Sequence, residues 1–466
     1  MIINIFKNEC KNFTRNKILV YLNIILIVSL FSIAWVSNKK NNNQKNLQET
    51  AQNKIRKQWE NLSPMNPHGA AHYGSYAFKP LNILNSLDQG INDVTGNVLK
   101  LEGHVRNEIV YSEASQSISI SKFGKLQASI ILQYVIPIMI IFISFGSISK
   151  EKTLGRIKLL ILQGVTMKNL FIAKSLFIWS YGLLLLIITL FFQIYFSPNI
   201  DSIPRLIFFL FSYGAYYFIL SFLTVYISTL LNNNASILTF ILSIWILWTI
   251  FLPKIFGNIV EKTYPLPSRQ TLELKMTEDR SKGIDGHNPF DEKRNELKTK
   301  YLAQYEVDSL SQLPINFDGI VMQADEEFGN SIWDKHFGNN NYLLKKQKNM
   351  YQLLGIINPF ISLQNLSMGI CGSDMIHHID FLEKSEKYRR YFIKKLNNKH
   401  AFGGSKTGDW SFKVNSDFFR SIDAFSYTTP KINTKIKNYI IDIIFLSFWV
   451  IISISLIFRL PKNIIK

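Results

Sequence analysis

Eight histidines carry the clearest chemistry in this sequence: His68, His72, His104, His287, His336, His377, His378 and His400. His68 and His72 are four residues apart, and on a helix that spacing puts two imidazoles on one face, as at many metal sites. Pro67 and Gly69 argue instead for a turn, and neutral histidines hydrogen-bonded inside a polar domain are the commoner outcome for such a pair. His68 and His72 therefore stand as candidate metal ligands and not as an expected site. His377 and His378 are weaker, because adjacent residues on a helix diverge. Only two cysteines occur, Cys10 and Cys371, so neither a disulfide framework nor a thiolate ligand set is available. The sequence also lacks the usual phosphate-binding signature. No Gly-x-x-x-x-Gly-Lys-Ser/Thr loop is present, and its nearest approach, Gly403-Gly404-Ser405-Lys406-Thr407-Gly408, has the wrong spacing.

The elements that hold these residues are set by apolar runs. Of 466 residues 47% are hydrophobic and 18% charged, well below the roughly 25% charged of ordinary globular domains. Six stretches approach the roughly 20 residues that cross a bilayer: 18–36, 126–148, 175–196, 206–231, 237–252 and 438–458. The fifth is short and ends at Pro253. The expected fold is an all-α membrane protein: six transmembrane helices with a mostly helical extracytoplasmic domain built from two insertions. Its parts are an elbow helix and first span (1–36), a first insertion (37–125), spans two to five with a cytoplasmic helix at about 150–164 (126–252), a second insertion (253–437), and a sixth span with a tail (438–466).

Short loops give the orientation, because basic residues mark the cytoplasmic side. Lys7, Lys11, Arg15 and Lys17 precede the first span, Lys150, Lys152, Arg156, Lys158 and Lys168 follow the second, and Arg459, Lys462 and Lys466 close the chain, against Glu9 and Glu151 alone. Both termini are thus expected to be cytoplasmic. Much of the formal charge of +19 is then topological, and nucleic acid is not an expected partner. All eight histidines fall in the two insertions. Apolar Leu47, Ala51, Ile55 and Trp59 continue one helical face above the first span, and 291–305, 342–354 and 376–396 read as further helices separated by Pro and Gly turns. Within the spans Gln133, Pro137, Gln193 and Asp442 are the polar or helix-breaking residues that would line a path; Asp442, about one turn from the outer end, is expected to pair at the interface. Trp35, Trp179 and Trp245 read as lipid-facing or belt residues.

On the cytoplasmic side, residues 150–164 carry Leu154, Ile157, Leu160 and Ile161 at helical spacing among Lys150, Lys152, Arg156 and Lys158, the pattern of a short amphipathic helix lying along the membrane surface, with Gly164 suited to its C-terminus. This loop resembles the coupling helix of type-2 ABC transporter permeases, in which an acid, a glycine, a leucine pair, a turn and a lysine recur. Here Glu151, Gly155, Leu159-Leu160, Gln163-Gly164 and Lys174 take those places, while Arg156-Ile157 stands for Thr-Leu, Thr153 for a second acid, and Ala173 precedes the lysine. Residues 1–17, with Glu9 and Arg15 flanking Phe6 and Phe13, resemble the family's elbow helix. The insertions are similar to those of a subgroup with two large periplasmic segments, associated with multicopper-enzyme maturation. The residues that carry this include Pro67-His68-Gly69-Ala70-Ala71-His72-Tyr73-Gly74, Lys79-Pro80-Leu81, Asp88-Gln89-Gly90, Leu266-Pro267-Ser268-Arg269, Gly286-His287-Asn288-Pro289-Phe290, Leu313 to Gly319, Leu366-Ser367-Met368 and Tyr388-Arg389.

The resemblance implies a permease subunit in a bacterial cytoplasmic (inner) membrane that has no catalytic residues and binds no cofactor. ATP and Mg would sit on a partner ABC ATPase dimer that pushes on the segment around Glu151, Gly155, Arg156, Leu159 and Leu160. It further implies a second permease, either the same chain or a close relative, in the lipid bilayer, with periplasmic proteins as further partners. The competing expectation is a membrane-anchored periplasmic metal-handling or enzyme-maturation protein, for which the spans are only a scaffold.

Overall fold

The computed structural model describes residues 1–109, 127–288 and 291–461. The close of the expected first insertion, Leu126 at the start of the expected second span, Pro289, Phe290, and the tail lysines Lys462 and Lys466 lie outside the described residues.

Among the described residues the chain is all-α apart from one antiparallel hairpin, Ser75–Phe78 with Val98–Leu101. Six helices are long and apolar enough to cross a membrane: Lys17–Glu60, Ala128–Thr153, Met167–Phe196, Ile203–Leu230, Asn234–Thr263 and Ile432–Arg459. Each overlaps one expected stretch. The first continues beyond its apolar stretch, as the face Leu47, Ala51, Ile55 and Trp59 predicts: no Pro or Gly occurs between Lys17 and Glu60, so its 44 residues run on as one helix of roughly 66 Å, twice the hydrocarbon thickness of about 30 Å. Its N-cap is Asn16, whose side chain accepts from the Leu19 amide. Its far end buries Trp59 against Phe392 and Phe419, and the indole N–H donates to Phe419 O at 2.9 Å.

The fifth span does not stop at Pro253. A proline inside a helix removes one backbone hydrogen bond and crowds the preceding turn. Here a π-turn, Leu247–Phe251, lies directly before it, and the helix then continues from Leu252 to Thr263. The second span treats Pro137 the same way, behind the π-turn Ile131–Val135.

Gln133, Gln193 and Asp442 are each engaged with partners. Gln133 donates to Tyr213 Oη at 3.0 Å and to Asp88 at 3.4 Å, Ser367 donates to the same Asp88 carboxylate at 2.5 Å, and Ser86 donates to Gln193 at 2.7 Å. These bonds pin the turn around residues 82–90 onto spans two and three, and Gln133 links it on to Tyr213 of span four. Asp442 is fully buried in the first turn of its helix and accepts from Gln352 and Asn365, the pairing expected of it. Trp35 is exposed as a belt residue would be, whereas Trp245 is buried edge-on to Tyr134 and belongs to the bundle core.

On the insertion side, residues from both insertions share a core. Trp59, Ala70 and Ala71 pack with Phe392, Ile393, Leu396, Val414, Phe419 and Ile422. Its frame is the helix pair Phe317–Gln352 and Met375–Phe402. Between them Arg389, 1% exposed, donates to Glu326 and Glu386 and lies over the Trp333 ring at 4.7 Å. The phosphate-loop decoy has a structural role here. Thr407 Oγ1 accepts from the Phe317 amide, and the Gly408 amide donates to Asp318, so this loop caps the Phe317–Gln352 helix.

Candidate functional site

Two places gather chemistry-bearing side chains, one on each face of the span bundle. On the insertion side the expected turn at residues 67–73 is a helix, Pro67–Tyr73. Pro67 sits at its first position, where the missing amide costs nothing and φ is already helical, and the N-cap Asn66 accepts from the His68 amide at 2.8 Å. His68 and His72 consequently share a face, with Nε2 atoms 3.1 Å apart and ring centroids 4.6 Å apart.

Two histidines far away in sequence complete the cluster. His104 sits at φ +61 in the tight turn that follows the hairpin, between Glu102 and Val105. Its backbone amide donates to Glu326, and its Nδ1 pairs with Asp325 at 2.8 Å. His287 lies on the loop that follows the helix Arg269–Arg280, where its amide is held by Asp285 at 2.9 Å. Ring centroids are 5.3 Å apart for His68 and His104, 5.4 Å for His68 and His287, and 4.9 Å for His104 and His287. One ligand nitrogen from each of the four lies within 4.8 Å of the others. Asp325 is almost fully buried beneath His104. Its burial alone would raise the carboxyl, but hydrogen bonds from His104 and Arg280 hold it below the usual carboxylate range.

Partial burial and mutual repulsion disfavour the charged form of His68 and His72. Burial, followed by repulsion from His104 and His72, lowers His68 to about 3, and burial with the same kind of repulsion lowers His72. Neutral imidazoles are the ligating form. The His68 Nδ1 is buried without a hydrogen-bond partner. The spacing of His68 and His72 was visible in the sequence, but nothing local marks His104 and His287 as their companions. His377 and His378 do not join them: His377 Nδ1 pairs with Asp374 at 2.6 Å, and His378 is buried elsewhere.

On the opposite face the expected single amphipathic helix is two, Ser149–Thr153 and Arg156–Leu162, because Gly155 between them adopts φ +71. The second helix ends in a Schellman motif: the Gly164 amide, at φ +83, donates to Ile161 O, and the Val165 amide donates to Leu160 O. Of the expected apolar face Ile157 is buried and Leu160 and Ile161 are half-buried, but Leu154, on the far side of the Gly155 break, is not covered. Leu154, Leu159 and Leu162 are exposed, at 61%, 61% and 83%, beside exposed Arg156 and Lys158. Glu151 and Lys174 meet: the Lys174 ammonium lies 3.7 Å from Glu151 and donates to Glu9 at 2.6 Å, and Arg156 approaches Glu151 at 3.9 Å. Three separate elements, the first helix Ile2–Arg15, the helix Ser149–Thr153 that closes span two, and the start of span three, are therefore joined through one buried lysine.

The chain is thus an all-α, multi-pass, membrane-type protein with a helical domain on one face and a short tethered helix on the other. A family model described as a domain of unknown function, DUF3526, matches residues 269–428, most of the second insertion and including His287, Asp325, Glu326 and Arg389. No curated protein and no solved structure matches the chain.

Proposed function

We propose that this chain is the permease subunit of an ATP-driven ABC transporter, of the exporter or mechanotransmission type, in a bacterial cytoplasmic membrane with both termini inside. The observation that carries the reading is the junction of Glu151, Lys174 and Glu9 behind the exposed leucines Leu159 and Leu162. A helix that only anchored the loop to lipid would need no buried ion pair to three elements. One that transmits force needs a stiff backing and a free apolar face: the ion pairs hold the adjoining helix Ser149–Thr153, and Arg156–Leu162, linked to it through Gly155 and the approach of Arg156 to Glu151, presents Leu159 and Leu162.

In this reading a separate ATPase dimer, which binds ATP and Mg, docks on Leu159, Leu162 and Arg156. Its closure displaces spans two and three as rigid bodies. Through Lys174 and Glu9 the same displacement reaches the first helix, and the unbroken helix Lys17–Glu60 carries it to Trp59 in the core on the far face. A second permease, either the same chain or a relative, completes the assembly. The competing reading, a membrane-anchored metal-handling or maturation protein, is favoured by the four clustered imidazoles but leaves the tethered junction without a role.

Co-purification tests the proposal. The wild-type chain, extracted in mild detergent, should carry a protein with a Gly-x-x-x-x-Gly-Lys-Ser/Thr loop, and Leu159→Asp with Leu162→Asp should lose it while remaining monodisperse. An ATPase retained by the double variant, or none on the wild type, overturns it.

A further inference from the structure

The geometry points to a tetra-histidine site for one divalent late-transition-metal ion, formed by His68, His72, His104 and His287, that clasps the loop of the second insertion onto the first. It stands independently of the transport reading, because it rests on the outer domain alone.

The donor set selects the metal class. Four imidazole nitrogens, with no thiolate, suit Zn²⁺, Cu²⁺ or Ni²⁺, and leave hard cations such as Mg²⁺ or Ca²⁺ without their oxygens. A tetrahedral zinc with nitrogens at about 2.0–2.1 Å needs them roughly 3.4 Å apart. The pair His68 and His72 is already at 3.1 Å and the whole set lies within 4.8 Å, so small side-chain rotations close the sphere. Around a tetrahedral zinc, four protein ligands leave no open position, which is the pattern of a structural site and not of a catalytic one.

The surroundings are those of a built site. His104 is turned by Asp325, a carboxylate–histidine pair that fixes the tautomer with Nδ1 protonated and frees Nε2 for the ion. Asp325 is itself held by Arg280, and Glu326, which accepts the His104 amide, is held by Arg389. His72 and His287 are exposed, which gives an ion a way in from the surface. Three ligands come from the first insertion and one, His287, from the segment matched to the domain of unknown function. Occupancy would therefore tie the loop Ile284–Asn288 down onto the helix Pro67–Tyr73.

The test uses the full chain in detergent, made without a polyhistidine tag, stripped with chelator and titrated with Zn²⁺, Cu²⁺ and Ni²⁺, with bound metal counted by mass spectrometry. One ion per chain is expected, together with a rise in unfolding temperature and slowed amide exchange at residues 284–288. His287→Ala, on an exposed loop, and His72→Ala should each weaken binding at least tenfold and together at least a hundredfold, whereas His336→Ala should leave it unchanged. Asp325→Asn should cost 10- to 100-fold in affinity. Folded wild-type chain that takes up no ion, or that binds as well after His72→Ala with His287→Ala, overturns the site. Binding that leaves exchange at residues 284–288 unaltered overturns the clasp.

Discussion

Lys174 Nζ, at the start of the third span, donates to Glu9 Oε1 in the first helix at 2.6 Å, and only 4% of the lysine side chain is exposed. A buried ammonium survives only when it is paired, and here Glu151 supplies a second carboxylate at 3.7 Å. The pair therefore reports where the helix Ser149–Thr153 is held.

Lys174→Met should lower stability by about 1–3 kcal/mol, the cost of leaving a partly buried carboxylate without its partner. Thermal unfolding in detergent measures it. Lys174→Met with Glu9→Gln should recover part of the loss, because the orphaned charge is then gone.

Gly155 and Gly164 both lie in the left-handed region, at φ +71 and +83. No atom crowds the position of a Cβ at Gly155, and only the flexible Met1 side chain approaches it at Gly164, so backbone strain alone sets the cost of Gly→Ala, about 1–2 kcal/mol. Asn at Gly164 should be milder than Ala, since Asn tolerates that conformation. Equal midpoints for Ala and Asn variants would contradict this.

Arg389→Leu removes the shared partner of Glu326 and Glu386 in a site that is almost completely buried. The expected loss is about 3–5 kcal/mol. Because Glu326 also accepts the His104 amide, increased exchange at that amide should accompany the loss of stability.

His378 is lowered to about 4, first by burial and second by the nearby Lys79, which burial in turn lowers to about 8. Between pH 6.5 and about 4 the unfolded chain binds a proton at this position that the folded chain does not, so the stability His378 contributes falls as pH falls through that window and levels off below it. The full swing is about 3 kcal/mol. Comparing wild type with His378→Leu between pH 7 and pH 4 isolates it, and parallel pH profiles would contradict the assignment.

Much of the fold could be read from the sequence because apolar run length is a local quantity. Each of the six expected stretches falls within or largely overlaps an observed helix, and Leu154 to Gly164 announced a helical segment at the surface. The misreadings were also local. Pro253 looked like an end because a proline normally is one, and a π-turn before it is not written in residue type. Pro67 looked like a turn, though at the first position of a helix it is favoured. The histidine site was only half visible. His68 and His72 announced themselves by spacing, but His104 and His287 arrive through a hairpin turn and a distant loop, and long-range juxtaposition leaves no periodic trace in one sequence. On the other face the resemblance marks Leu159 as a coupling residue, whereas the helical spacing does not announce the exposure of Leu162.

The central claim is that Arg156–Leu162 receives force from an ATPase. A photoreactive residue in place of Leu162, irradiated in native membranes, tests it most directly. The account predicts an adduct with a protein carrying a Gly-x-x-x-x-Gly-Lys-Ser/Thr loop, with its yield altered by ATP. An adduct with lipid alone would contradict it.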